Sequence, residues 1–398
     1  MRVIFVDDEP NILSGLRRIL RPLRKEWDMI FEEGGESALR ELEDSPCDVV
    51  VSDMKMPGMD GAEFLSLVRE KYPKSIRIAL SGETDAHMIY RCVQHAHQYL
   101  AKPCDVDALV SAVKRAFSLR ELMHDEKLEA IVGKMSSLPS RPEQYDQIMQ
   151  ELQSDDPSLH KVGKIIESDV AMSAKILQLV NSAFFGLARN LSSPSEAAMY
   201  LGVDVLKSLV LTAGVFSQFE EDAVDPHILR TIWSRSTSAG ALAKAIARDE
   251  TGEDQIADYA LMGGLLMDVG ELVIATNFPD KFSEVRAAME SQGIPDYAAE
   301  VELLGHSHMD VGAYLAGLWG LPNPVVECVA YHHSPQECVG TGFTPLTAVH
   351  IANAIIASEG KEPLAEINQD YVEALGVAGK IPAWTALHEE HQESGGEA

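Results

Sequence analysis

The stretch CDVVVSDMKMPGMDG, residues 47–61, is the part of the chain that predicts the fold most directly. Its β-branched run, residues 48–52, is typical of a strand buried on both faces of a parallel sheet. Asp53 follows the run, and a proline and two glycines then predict a loop before the next helix. Because ligands bind outside the carboxyl ends of strands in open α/β sheets, we expect Asp53 to be an accessible carboxylate at a site. An Asp that only caps the following turn is the alternative interpretation.

Strand and helix patterns alternate five times over about the first 120 residues. This alternation predicts an α/β fold with a doubly wound, five-stranded parallel sheet that is covered by helices. The predicted strands are residues 2–6, 29–31, 48–52, 76–80 and 98–101. The predicted helices are residues 10–20, 37–42, 62–71, 85–94 and 106–123.

Polar side chains stand at the ends of four of these strands, on the same rim of a parallel sheet. They are Asp7, Asp8, Asp53, Ser81 and Lys102. Three clustered carboxylates repel one another unless a cation lies among them, and oxygen ligands of this kind suit Mg²⁺. A lysine and a serine on the same rim could hold the oxygens of a phosphoryl group. The strand ends therefore predict a site for phosphoryl transfer to a carboxylate.

Four motifs at the strand ends resemble the receiver domain of two-component response regulators. The resemblance covers residues 1–120 and implies a flavodoxin-like fold. It also implies that the protein receives phosphate from a sensor histidine kinase or a phosphotransfer protein. The motifs are FVDDEPNIL at 5–13, SDMKMPGMDG at 52–61, ALSGETD at 79–85 and YLAKP at 99–103.

The same resemblance implies a phosphoryl acceptor and a metal site. Asp53 matches the residue that carries the phosphate in the family. Asp8 and Asp53 would bind Mg²⁺, with Asp7 assisting and the backbone carbonyl of Lys55 as a further ligand. These assignments come from the family, and the strand ends agree with them.

Three further positions match residues of the family that respond to phosphorylation. Ser81 matches the switch hydroxyl, Tyr99 the switch aromatic and Lys102 the invariant lysine. By the same resemblance, the peptide bond between Lys102 and Pro103 would be cis. The helix at 106–123 would pass the change to the rest of the chain.

A different composition begins after about residue 119. A helical connector is expected over 121–140, an all-helical domain over 141–360 and an acidic tail over 361–398. The tail should contain one helix and a disordered polar end, with Trp384 and Leu387 packing back on the helical domain. The predicted helices are residues 147–152, 159–166, 171–180, 195–200, 203–219, 228–248, 255–276, 282–291, 297–304, 311–318, 324–332, 345–358 and 368–375.

The helical region resembles the HDOD family, an output domain related to HD-type metal phosphohydrolases. Within VNSAFFG, Asn181, Phe184 and Phe185 could mark a site, or the motif could simply end a helix with Gly186 as its cap. The resemblance covers residues 130–360. It rests on the segments 174–211, 232–247, 264–275 and 302–333.

An HD phosphohydrolase needs a His on an early helix, a His-Asp pair and a later Asp to hold its metal ions. In this chain those positions are Arg235, Met267 with Asp268, and Asn353. A thioether and an amide are poor ligands for such a metal, and an arginine repels a cation. His306 and His332 could still bind a metal, but hydrogen-bonded core histidines are the favoured interpretation.

Composition limits the remaining function classes. The 62 acidic and 33 basic residues give a formal charge of −29, which disfavours binding to nucleic acid. The apolar segment 259–275 contains two acidic residues, so it is expected to be a core helix and not a membrane span. Five widely spaced cysteines and the absence of a secretory pattern at the N-terminus favour a cytoplasmic location.

The sequence therefore predicts a response regulator with a non-catalytic output. This output would act on an unidentified protein partner, either by changing a homodimer contact or by exposing a binding surface. Two alternatives stay open at this point. One is an HD-type metal-dependent phosphohydrolase, such as a cyclic-dinucleotide phosphodiesterase, and the other is a nucleic-acid-binding regulator.

Overall fold

The computed structural model describes most of the chain. The predicted helix at 85–94, the side chain of Ser81, and Pro103, Phe184, Phe185 and Gly186 lie outside the described residues. The described residues are 1–82, 95–102, 105–120, 126–135, 138–140, 142–154, 156–181, 191–207, 209–210, 217–218, 226–338, 342–358 and 367–395.

The N-terminal region is a five-stranded parallel sheet with strand order β2-β1-β3-β4-β5, as the alternating pattern predicts. The central strand β3 is fully buried because helices cover both faces of the sheet, which explains its continuous run of valines. The strands are β1 (Arg2–Val6), β2 (Asp28–Glu32), β3 (Val49–Asp53), β4 (Ile76–Gly82) and β5 (Gln98–Lys102). The helices are α1 (Pro10–Ile19), α2 (Gly35–Asp44), α3 (Gly61–Lys71) and α4 (Val106–Arg120).

The rest of the chain is mostly helical, and the predicted α/β plus all-α fold class is confirmed. Short 3₁₀ helices lie at Arg21–Lys25, Pro335–Glu337 and Ala378–Lys380. The other elements are α5 (Glu126–Lys134), β6 (Pro139–Ser140), α6 (Pro142–Gln153), α7 (Leu159–Glu167), α8 (Val170–Val180), α9 (Pro194–Lys207), β7 (Ser217–Gln218), α10 (Pro226–Thr251), α11 (Asp254–Leu266), α12 (Val269–Asn277), α13 (Pro279–Gln292), α14 (Asp296–Leu304), α15 (His308–Leu318), α16 (Asn323–Tyr331), α17 (Pro345–Ala357), α18 (Gln369–Ala374) and α19 (Ile381–Gly395).

Three predictions for the helical region are wrong. The helix predicted over 203–219 does not include Ser217–Gln218, which pairs with Pro139–Ser140 as a parallel ladder too short to show a strand pattern. The helix predicted over 255–276 breaks at Asp268, whose backbone is not helical, although the apolar pattern continues across the break. The end of the chain is not disordered from residue 388, because α19 continues to Gly395.

Trp384 and the apolar helices α11 and α12 are both buried in the helical region. The side chain of Trp384 is buried, as predicted, and its indole N–H donates to Asp249 at 2.9 Å. Helices α11 and α12 together are apolar and long enough to cross a membrane, but 89% of their most apolar window is buried inside the protein. The segment 259–275 is therefore buried as expected, but in two helices and not in one.

Candidate functional site

The acidic strand ends meet at one edge of the parallel sheet. One carboxylate oxygen from each of Asp7, Asp8 and Asp53 lies within 4.8 Å of the others. Asp7 and Asp8 directly follow β1, and Asp53 is the last residue of β3. Gly61 allows α3 to start against this edge, because a Cβ atom there would lie 2.1 Å from the carbonyl oxygen of Asp53. Strand order and close helix packing thus bring three carboxylates into one cluster.

Lys102, the last residue of β5, spans this cluster. Its Nζ lies 2.6 Å from Oδ2 of Asp7 and 2.7 Å from Oδ1 of Asp53. Burial raises the pKa of Asp53, and the ammonium group of Lys102 partly offsets that rise. Burial alone would lower the pKa of Lys102, but hydrogen bonds to Asp53 and Asp7 outweigh it and raise the pKa. The two groups form an ion pair that is largely screened from water.

The cluster fits a divalent cation by its donor chemistry. Three carboxylates share a small volume with one lysine ammonium group, so the formal charge among these four side chains is negative. Carboxylate oxygens are the ligands that Mg²⁺ prefers, and Mg²⁺ commonly uses one or two of them while keeping several waters. The carboxylates of Asp7, Asp8 and Asp53 could therefore hold this ion.

The other predicted receiver positions lie on β4, on β5 and in the loop after β3. The backbone of Ser81 lies in β4 and pairs with that of Ala101, while its side chain is outside the described residues. Tyr99 is buried in β5, and its hydroxyl donates to the carbonyl of Ala96 at 3.2 Å. Lys55 is exposed in the loop that follows β3. The roles of these residues remain predictions.

A second charged cluster lies in the helical region, at the wall of a cleft of about 1430 Å³. The Nε of Arg235, on α10, donates to Oδ2 of Asp268 at 2.7 Å, and its terminal nitrogen donates to Glu271. Burial alone would raise the pKa of Asp268, but the Arg235 guanidinium holds it at about 2. The arginine thus covers the carboxylate that an HD metal centre would use.

Family models match both halves of the chain. The response regulator receiver domain model matches residues 3–114, and the HDOD domain model matches residues 138–335. This chain joins a receiver domain to an HDOD domain. The Asp53 cluster belongs to the receiver domain, and the Arg235 cluster belongs to the HDOD domain.

Three other proteins are similar to parts of this chain. An uncharacterized protein of Treponema pallidum (strain Nichols) is 26% identical over 60% of this chain and 46% of that protein. The hydrogenase transcriptional regulatory protein HoxA of Cupriavidus necator is 36% identical over 31% of this chain and 25% of HoxA. This chain therefore spans less than half the length of these two curated relatives. The crystal structure of the MmoQ response regulator from Methylococcus capsulatus str. Bath is 22% identical, covering 63% of this chain and 98% of that one with a TM-score of 0.46.

Three histidines form a third cluster, inside the HDOD domain. Ring nitrogens of His308, His332 and His333 lie within 4.8 Å of one another, at the start of α15 and just after α16. Gly270 allows the contact between α12 and α15, since a Cβ atom there would lie 1.9 Å from the carbonyl oxygen of His308. Of these three histidines, the sequence predicts only His332 as a possible metal ligand. His306, which it selected, is buried but is not part of this three-histidine group.

The remaining predicted HDOD positions have different surroundings. Met267 is fully buried in the apolar core, whereas Asn353 lines the cleft beside Arg235. Asn181 ends α8, where its side-chain amide exchanges two hydrogen bonds with the backbone of Leu191, at 2.6 and 2.7 Å. This pairing joins the end of α8 to Leu191, and the function of the VNSAFFG motif stays a prediction.

Side chains near the start of β5 connect the receiver domain to the helical part. The amide of Gln98 donates to the carbonyls of Gly317 and Leu318, at 3.2 and 3.1 Å, at the end of α15. On the HDOD side, the amide of Gln178 donates to the carbonyl of His97 at 2.9 Å. These contacts tie residues 97 and 98 to two helices of the HDOD domain.

A buried arginine and histidine extend this connection to α5. The guanidinium of Arg77, on β4, donates to the carbonyl of Gly133 at 2.6 Å. Nδ1 of His97 accepts the backbone N–H of Arg77, so the neutral ring carries its proton on Nε2, 2.9 Å from the same carbonyl. Burial and the nearby Arg77 charge lower the pKa of His97 well below its usual range.

Proposed function

We propose that this protein is a phosphorelay response regulator that accepts a phosphoryl group on Asp53. The observation that carries the proposal is the contact of Lys102 Nζ with Asp53 and Asp7, inside a cluster of three carboxylates at the sheet edge. The match to the receiver domain model supports it. The donor would be a sensor histidine kinase or a phosphotransfer protein.

The chemistry assigned to the chain's own residues is positioning and charge compensation. A carboxylate oxygen of Asp53 attacks the phosphorus, the donor's phosphorus–nitrogen bond breaks, and the imidazole leaves with the bonding electron pair. Lys102 then exchanges its contact with Asp53 Oδ1 for a phosphoryl oxygen, while keeping its contact with Asp7. Ser81 would donate a hydrogen bond to another phosphoryl oxygen.

A magnesium ion held by Asp7, Asp8, Asp53 and the carbonyl of Lys55 would supply further neutralisation of the phosphoryl charge. Without a cation, a phosphoryl group beside Asp7 and Asp8 would add negative charge to an acidic cluster. Lys102 offsets only part of that charge. The proposed reaction is therefore expected to depend on divalent ions.

We further propose that the HDOD domain is a non-catalytic output that binds another protein. Two features support this. The guanidinium of Arg235 lies on Asp268, and Met267 and Asn353 stand where an HD centre needs metal ligands. A change at Lys102 would reach the HDOD domain along β5, through the contacts of His97 and Gln98. A homodimer contact or a binding surface for a partner would then change.

Phosphoryl acceptance is tested by incubating the full chain with acetyl phosphate and Mg²⁺ and measuring its intact mass. The wild type should gain the mass of one phosphoryl group, and Asp53→Ala should gain none. Asp44→Ala, which removes an exposed aspartate at the end of α2, is the matched control and should behave as the wild type. Equal labelling of wild type and Asp53→Ala would refute the proposal.

Coupling to the HDOD domain is tested by hydrogen exchange with beryllofluoride and Mg²⁺ as a stable phosphoryl mimic. Exchange should change in α5 and at the end of α15, where the receiver contacts are made. The Asp53→Ala protein should show no response. An exchange pattern that changes only within residues 1–120 would show that the domains are not coupled.

A further inference from the structure

We propose that the cleft beside Arg235 binds a short peptide segment of the output partner. The peptide would place an acidic side chain against Arg230 on α10 and apolar side chains against the opposite wall. The cleft is bounded by α10, the turn between α13 and α14, the end of α17 and α19. This proposal rests on the proposed protein-binding role of the HDOD domain, and it adds where the partner binds and which chemistry the partner presents.

One wall of the cleft is a polar stripe along α10. Six residues of this helix line the cleft, and their spacing of three or one residues is that of a single helix face. From residue 227 to residue 238 the stripe is about 16 Å long, at 1.5 Å per residue. An extended peptide of about five residues covers that length. The six residues are His227, Arg230, Thr231, Ser234, Arg235 and Ser238.

The opposite side of the cleft is largely apolar. The end of α13 and the turn into α14 contribute Met289, Ile294, Pro295 and Tyr297. The end of α17 adds the segment 355–357, which consists of two isoleucines and an alanine. Methionine and tyrosine on one wall and arginine on the other are residue types that are enriched where proteins bind one another. A ligand of this cleft therefore needs apolar groups on one side and polar groups on the other.

The size of the cleft favours a peptide over a small molecule. Its volume of about 1430 Å³ is above the roughly 300–1,000 Å³ that is typical of small-molecule pockets. A groove that offers polar groups on one side and apolar groups on the other, over three turns of helix, is how proteins commonly hold a peptide. A short segment with alternating polar and apolar side chains fits both walls at once.

The charge of the α10 wall selects an acidic segment. None of the six α10 residues that line the cleft is acidic, although the whole chain has a formal charge of −29. The two aspartates of the cleft are compensated within the protein. Asp268 accepts from Arg235 at 2.7 Å. Burial alone would raise the pKa of Asp296, but His308 and two further basic groups lower it. Arg230, which is exposed, is thus placed to meet a carboxylate of the partner.

The last helix of the chain completes the cleft. Thr385 and His388, which are one turn apart on α19, both line it. Helix α19 is fixed against α10, because the buried indole of Trp384 donates to Asp249 at 2.9 Å. Residues 381–395 lie beyond residues 138–335, which match the HDOD model. A segment outside the family match therefore shapes the cleft and adds two side chains that can hydrogen-bond a peptide backbone.

The experiment selects peptides on the full chain, both with and without beryllofluoride and Mg²⁺. The probe is a phage library of random peptides of about 12 residues, long enough to follow the α10 stripe as a helix or as an extended chain. Selected peptides are synthesised with a fluorophore, and their affinity is measured by anisotropy. We expect them to share an Asp or Glu and at least two apolar residues. Bound peptide should slow hydrogen exchange in residues 227–238 and 289–297.

Variants locate the peptide in the cleft. Arg230→Glu reverses an exposed charge on the polar stripe, so it should weaken binding by about tenfold or more. Tyr297→Ala removes the aromatic side chain of the apolar wall and should weaken binding by about tenfold. Arg286→Glu is the matched control, because Arg286 is equally exposed on α13 but does not line the cleft. This control should keep wild-type affinity.

Salt gives a second measurement that does not depend on a loss of binding. Added salt should weaken peptide binding to the wild type, since it screens the contact with Arg230, and should have less effect on Tyr297→Ala than loss of the ring itself has. The exchange map of the wild type depends on no variant, so it decides the question even where a variant fails to fold.

Three outcomes would overturn the proposal, and they separate it from the proposed function. If the selected peptides bind but slow exchange only outside the cleft, the helical region binds proteins elsewhere and only the cleft assignment fails. If no selected peptide binds with or without beryllofluoride, the protein-binding role fails as well. If ATP, added as a probe for small anions, slows exchange in the cleft while the peptides do not, the cleft is a small-molecule site.

Discussion

The receiver and HDOD domains each bury clustered carboxylates, but they neutralise them with different cations. In the receiver domain the flexible ammonium group of Lys102 spans Asp7 and Asp53. In the HDOD domain the planar guanidinium of Arg235 holds Asp268 and Glu271. A lysine can move a point charge to a new oxygen, whereas an arginine in two directed contacts is fixed. The first arrangement suits a switch, and the second suits a permanent structural contact.

Removing the fixed cation should have the largest effect on stability. Arg235→Ala would leave the buried carboxylates of Asp268 and Glu271 without their partner, and we expect a loss of about 3–5 kcal/mol in the unfolding free energy of the HDOD domain. Chemical denaturation of the full chain, followed by hydrogen exchange in α10 to α12, measures this loss. Arg235→Lys keeps the charge but loses the paired geometry, so its loss should be smaller. If Arg235→Ala leaves the unfolding free energy unchanged, the two domains do not differ as proposed.

Removing the mobile cation, Lys102, should lower the unfolding free energy less than removing Arg235 does, and the loss should be partly reversible. Lys102→Ala breaks charged hydrogen bonds to Asp7 and Asp53 at a partly open edge, which should lower the unfolding free energy of the receiver domain by about 1.5–3 kcal/mol. Added Mg²⁺ should recover part of the loss, because it can neutralise the same carboxylates. Lys71→Ala, which breaks an exposed pair with Glu43, is the control and should change stability by less than about 1 kcal/mol. A Lys102→Ala protein unaffected by Mg²⁺ would contradict the metal assignment.

The sequence predicts the geometry of one of these sites much better than that of the other. Asp7, Asp53 and Lys102 could be placed together because parallel strands end at one edge, so strand assignment alone brings distant residues together. No such rule places the histidine cluster, since its geometry depends on where α12, α15 and α16 cross. A useful signal was present, because Ser307 and Asp310 form a capping box that starts α15 at His308. The break at Asp268 had no signal, as apolar residues continue on both sides.

The contact of the His97 side chain with α5 should weaken in acid, while the ion pair of the HDOD domain should not. The pKa of His97 is lowered in the folded protein, so the unfolded chain takes up a proton below about pH 6.5 and the folded chain does not. Stability is therefore lost as pH falls below that value, by up to about 1.4 kcal/mol per pH unit for this one group. Asp268, with a pKa of about 2, stays ionised over the same range.

Urea denaturation between about pH 7 and pH 5 measures this dependence. His97→Gln should show a shallower decline than the wild type, by about one proton. His227→Gln, which replaces an exposed histidine at the start of α10, is the control and should keep the wild-type slope. Identical slopes for wild type and His97→Gln would show that protonation of His97 does not weaken the contact.

The smallest expected effect on stability tests how the two domains communicate. Gln98→Ala removes two neutral hydrogen bonds to the carbonyls of Gly317 and Leu318, so the unfolding free energy should fall by only about 1 kcal/mol. The response of α15 to beryllofluoride should nevertheless be lost, since β5 carries both Lys102 and this contact. With beryllofluoride and Mg²⁺, exchange at the end of α15 should change in the wild type and in Gln255→Ala, an exposed control, but not in Gln98→Ala. If Gln98→Ala responds normally, the change at Lys102 must be transmitted to the HDOD domain by a route other than β5. The contact of Arg77 with Gly133 is such a route.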